Sequence, residues 1–168
     1  AEQIMDKKLK IFNGRIITPF RIIQGTVVVE GGRITEVAEG EVNVPDAVQI
    51  DAQGHYISPG FIDIHLHGGG GHDFMDGTVD AFLKIAELHA RYGTTSLVPT
   101  TLTAEKEDLL HTLDIYRQAH KKNNRGAQFM GMHIEGPYFD MEQRGAQDPR
   151  YIRNPDEKEY RQVIARDR

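Results

Sequence analysis

The sequence contains no cysteine, which excludes disulfides, thiolate-held zinc and thiol nucleophiles. It has no apolar run long enough to span a bilayer. Its opening residues, Ala1 to Lys8, lack the apolar core a secretory leader requires. The cytoplasm is therefore the expected compartment, and a membrane is not an expected partner. Strong positive charge is absent as well: the net charge is -5. The basic pairs Lys7-Lys8 and Lys121-Lys122 are short and read as solvated faces, so no nucleic-acid partner is expected. Internal repeats and low-complexity tracts are also missing.

What is present suits an enzyme-like globular chain. The 168 residues are 39% hydrophobic and 27% charged, enough length and apolar content for a real core. Residues 1–58 predict a small β segment. Leu9–Phe12 and Arg15–Thr18 flank Asn13-Gly14, a dipeptide that suits a tight hairpin turn. Thr26–Glu30 and Arg33–Val37 flank Gly31-Gly32, and shorter strands lie around Gln53-Gly54.

From residue 59 the pattern changes to alternating strands and helices. Phe61–His65 predicts a buried strand, and residues 78–92 carry apolar side chains at helical spacing, stopped by Gly93. Thr95–Thr100 predicts a second strand, followed by a helix over 104–122 opened by a Thr103 capping pattern. Gln128–Glu135 predicts a third strand, and a last helix is expected after Asn154-Pro155 with the proline in its first turn. Such βα alternation implies a parallel sheet, in which functional side chains gather at the carboxyl ends of strands.

Three residues at those ends draw attention. His65 and His67 are two apart, so on a strand both rings project to the same side and can converge on one ion. A lone pair of this kind would equally suit one hydrogen-bonded ring and one solvated ring. The run Gly68–Gly71, whose bare Cα atoms allow close backbone approach, favours the metal reading over a flexible linker. Glu135, two residues beyond His133, ends the third strand. Alone it could pair with a positive side chain; beside His65 and His67 it reads as a metal ligand. His89, His111 and His120 lie on helices and read as surface or packing residues. His72 could reach the pocket or simply pack its loop. Thr100 and Thr101 could donate hydrogen bonds into the site, although turn formation explains them as well.

These motifs resemble a known family. The segment PGFIDIHLHG at 59–68 is similar to the first-strand motif of the amidohydrolase superfamily. Together with GGHDFMDGT (70–78), GTTS (93–96), PTTLT (99–103) and HIEGPYF (133–139), it resembles the N-acetylglucosamine-6-phosphate deacetylases. The resemblance implies a (β/α)8 barrel of the TIM type beside a small β-sandwich. Residues 1–58 would supply the β segment, and 59–168 about three βα units of the barrel. It implies hydrolysis of the N-acetyl group of an amino-sugar phosphate, using one or two divalent ions (Zn, Fe or Mn) held by His65, His67 and Glu135. Ala146 and Gln147 would contact the sugar, and a homodimer is expected.

A complete barrel takes about 250 residues. The resemblance also implies a general-base Asp on a late barrel strand and two further His ligands from middle strands; by that length these are expected outside these 168 residues, and the chain alone is expected to be inactive. Two other readings stand beside this one: an amidohydrolase acting on a cyclic amide or aminopurine, and an inert fragment that only associates through exposed sheet edges.

Overall fold

The computed structural model describes residues 8–166; the opening stretch, with Lys7, lies outside them. The chain divides into two compact units between Pro59 and Gly60.

The first unit is one five-stranded sheet: β1 (Leu9–Ile17), β2 (Ile22–Glu30), β3 (Arg33–Glu39), β4 (Val48–Asp51) and β5 (Tyr56–Ile57). The order is β3-β2-β1-β4, with β5 also pairing β1. The antiparallel β2–β3 pair turns through Gly31-Gly32, as expected, with Glu30 opposite Arg33. Asn13-Gly14 differs from expectation. It makes no hairpin, because β1 runs straight through it and the ladder to β2 shifts register between Ile11 and Gly14. Asn13 takes the left-handed conformation there (φ 57°), and its side chain donates to Asp51 Oδ1 at 2.9 Å. The dipeptide therefore forms a β-bulge, where the same tolerance of positive φ is used inside a strand. Where a sandwich was expected, all five strands hydrogen-bond into a single sheet. Its core is small: Ile16, Ile23 and Val27, with Ile11, Val29 and Ile57 beside them.

The second unit is mixed α/β. Strands β6 (Phe61–Leu66), β9 (Thr94–Pro99) and β10 (Gln128–Phe129) form a parallel sheet in the order β10-β9-β6. Between β6 and β9 lie a two-stranded hairpin, β7 (Gly68–Gly69) and β8 (His72–Asp73), and helix α1 (Val79–Arg91). Helix α2 (Lys106–Lys122) links β9 to β10, and α3 (Glu157–Ala165) closes the described chain. Among the described residues no helix is long and apolar enough to cross a membrane.

Helix α1 forms as its spacing predicts. Thr78 caps it by accepting from the Ala81 N–H, and Ala81, Phe82, Ile85 and Ala86 are buried. They pack with Leu66, Phe74, Leu97, Ala119, Ala127 and Phe129 into one core. Fully burying one large apolar side chain of this kind contributes about 1.5–3 kcal/mol, so this core fixes the sheet whose strand ends carry the site.

Four local expectations are corrected. The first strand is not buried by the described residues, among which Phe61, Ile62 and Ile64 are all exposed on β6 at the sheet edge. Helix α2 begins at Lys106 with Glu105 as an N-cap that makes no side-chain bond. Thr103 does not cap it: the helix begins three residues later, and Thr103 Oγ1 accepts no hydrogen bond. The third strand is shorter than expected. After Phe129 the ladder is interrupted at Gly131 (φ 148°) and rejoins only as a bridge between Thr100 and His133. The cap of α3 is Asp156, which accepts from the Glu159 N–H, so Pro155 stands before the helix rather than in its first turn.

Candidate metal centre

Each residue of the cluster is placed by the carboxyl end of the parallel sheet. Leu66, between the two histidines, is tied to β9: its carbonyl accepts from the Thr100 N–H at 2.9 Å, and its own N–H donates to Thr100 Oγ1 at 3.2 Å. The His65 N–H donates to Asp63 Oδ1 at 3.1 Å. The glycine run is no linker. It forms the β7–β8 hairpin, whose turn residues Gly70 and Gly71 take φ of 63° and 81°, values that L side chains adopt only with strain.

The His133 N–H donates to the Pro99 carbonyl, and the His133 carbonyl accepts from the Thr101 N–H. This bridge carries the chain to Glu135, whose N–H donates to Thr101 Oγ1 at 3.2 Å. Gly136 then passes so close to Thr103 that a Cβ there would collide with the threonine hydroxyl. The Gly136-Pro137 bond is cis.

The outcome is a compact cluster. Glu135 Oε2 lies 2.8 Å from His65 Nε2 and 3.1 Å from His67 Nε2, and one ligand atom from each residue lies within 4.8 Å of the others. The rings of His65 and His67 meet edge-on with centroids 5.2 Å apart, and His133 packs edge-on against His65 at 4.7 Å. A carboxylate oxygen can only accept, so this arrangement requires N–H at both Nε2 atoms.

Glu135 Oε1 accepts from Gln147 Nε2 at 2.9 Å, and Gln147 Oε1 accepts from the Thr103 N–H at 2.9 Å. The loop that returns Gln147 is pinned by Arg153, whose guanidinium donates to Glu159 and to the carbonyls of Ala104 and Tyr151. The Glu159 carboxylate holds the Arg153 pKa above its ordinary value. Burial, then Glu159, pushes the Tyr138 hydroxyl up as well.

The donor chemistry fits a divalent cation: two imidazoles and a carboxylate converge, and zinc and similar ions accept such sets. Buried His67 Nδ1 has no hydrogen-bond partner, so among the described residues Glu135 alone holds the ring with its proton on Nε2, and a cation that took the place of that contact would meet no opposing bond at Nδ1. The structure thus brings together His65, His67, Glu135 and Gln147. Ala146 is exposed in the same loop. His72 does not join the cluster; its Nδ1 lies 3.7 Å from Asp76. His89 and His111 hold the backbone carbonyls of Gly68 and Gly77.

Parallel strands backed by helices, with an imidazole–carboxylate cluster at their carboxyl ends, define the class: an α/β protein of the kind whose functional side chains gather at strand ends. Residues 56–168 match the family described as Amidohydrolase family, and the chain belongs to that family. It is 34% identical over 157 residues to N-acetylglucosamine-6-phosphate deacetylase of Haemophilus influenzae, covering 91% of this chain and 41% of that protein. It is 33% identical over 132 residues to N-acetylgalactosamine-6-phosphate deacetylase of Escherichia coli O157:H7, covering 77% of this chain and 35% of that protein. Among solved structures, N-acetylglucosamine-6-phosphate deacetylase of Pasteurella multocida superposes with a TM-score of 0.86 at 28% identity, over 95% of this chain and 42% of that one. The chain thus spans about two fifths of the length of the H. influenzae relative.

Proposed function

We propose that this chain supplies part of the active site of a hydrolase that removes the N-acetyl group from N-acetylglucosamine 6-phosphate. Water is added across the amide, and the products are glucosamine 6-phosphate and acetate. The observation that carries this reading is the convergence of His65 Nε2 and His67 Nε2 on one oxygen of Glu135. Relatives and solved structures with that named activity, matched along nearly the whole chain, support the substrate. We read the three parallel strands and their helices as the opening of a (β/α)8 barrel, whose sites lie at the carboxyl ends of strands.

His65, His67 and Glu135 would hold the cation. A divalent ion there supplies Lewis acidity, polarising an amide carbonyl and bringing the pKa of water toward neutrality. The chain's own residues set the stage. Glu135 would contribute the negative charge that favours a cation, and the two imidazoles, with their remaining proton on Nδ1, would be neutral donors through Nε2. Thr100 and Thr101 fix the backbone on both sides of the cluster, so the three donors meet with little reorganisation.

The test is acetate release by the full-length protein after chelation and after restoring Zn, Fe(II) or Mn. The substrates are N-acetylglucosamine 6-phosphate, its galactosamine epimer and a cyclic amide. Metal-dependent turnover of the glucosamine compound is expected. Failure with every metal, or a preference for the cyclic amide, would overturn the reading.

A further inference from the structure

Gln147 stands between two fixed partners. Its Oε1 meets the Thr103 N–H and its Nε2 meets Glu135 Oε1, each at 2.9 Å, and the residue is 9% exposed. A backbone N–H only donates and a carboxylate only accepts, so the amide has one permitted orientation: oxygen toward Thr103, nitrogen toward Glu135. A carboxylate at 147 would repel both the position and charge of Glu135. A cation there would neutralise Glu135. Only a neutral group that donates at one end and accepts at the other meets both partners and leaves the Glu135 charge intact.

We infer that Gln147 is a positioning residue for the cation site: it anchors Glu135 Oε1 to the Thr103 backbone and thereby turns Oε2 toward His65 and His67. This rests on the metal-centre reading above. Two independent features act with it. Glu135 is also held through its N–H by Thr101, and the Gly136 backbone is packed against Thr103. The carboxylate is thus fixed at its main chain and at one oxygen, leaving the other oxygen to the imidazoles. Partners of this kind orient ligands, and losing one costs about 10- to 100-fold in metal affinity or activity.

The experiment titrates Zn(II) into chelator-treated full-length protein, comparing wild type with Gln147→Met, which keeps the length without the polar ends, and with Gln147→Glu. Circular dichroism and melting of the metal-free proteins check folding. Zn(II) binding is expected to weaken about 10- to 100-fold in Gln147→Met and further in Gln147→Glu. Unchanged Zn(II) affinity with a raised KM for N-acetylglucosamine 6-phosphate would overturn the inference and make Gln147 a sugar contact. Loss of the fold in both variants would overturn it too, since a positioning role predicts folded metal-free proteins. A wild type that binds no Zn(II) would instead sink the metal-centre reading itself.

Discussion

The two halves of the cluster are held to different degrees. Glu135 is fixed through its main chain by Thr101 and through one carboxylate oxygen by Gln147, and only 21% of its side chain is exposed. The imidazoles are more open: the side chain of His65 is 49% exposed and that of His67 35%, and His67 Nδ1 has no partner. Among the described residues Glu135 is therefore the fixed point of the site, and the two rings are arranged around it. On the proposed reading the carboxylate would set where a cation sits, while the rings would complete its shell.

Four sets of substitutions would break or sharpen that contrast. Glu135→Gln removes the fixed point and its charge, and the full-length protein is expected to lose its bound metal and its turnover, as read by metal analysis and acetate release. His67→Ala and His65→Ala leave Glu135 braced, so their metal content is expected to lie between wild type and Glu135→Gln; a content as low as in Glu135→Gln for either would erase the distinction. Thr101→Val keeps shape but leaves the Glu135 N–H unpaired, with an expected loss of about 1–3 kcal/mol of stability by denaturant unfolding. His111→Ala touches only the Gly77 carbonyl at an exposed position and should shift stability by no more than about 0.5 kcal/mol, with metal content unchanged.

The site was more legible in the sequence than the elements that support it. Alternation along a strand places His65 and His67 on one side wherever such a strand exists, and the βα rhythm brings the ends of β6 and the third strand to one rim. Helix α1 was equally legible, because the spacing of Ala81, Phe82 and Ile85 and the stop at Gly93 are local signals. What failed depended on distant partners. Asn13-Gly14 has the composition of a hairpin turn, but pairing with β2 and Asp51 makes it a bulge. Thr103 has the pattern of a cap, but the helix starts only at Lys106, and the Thr103 N–H serves Gln147, 44 residues away, instead. No local pattern announces the link from Gln147 to Glu135 either; only the loop pinned by Arg153 brings the two together.

The most direct test of the central claim is a crystal structure of the full-length protein soaked in Zn(II), with anomalous diffraction measured at the zinc edge. The account predicts a peak bonded to His65 Nε2, His67 Nε2 and a Glu135 oxygen at about 2.0–2.2 Å, with Gln147 Nε2 still on the other oxygen. Zinc bound elsewhere, with Glu135 still hydrogen-bonded to both imidazoles, would contradict it.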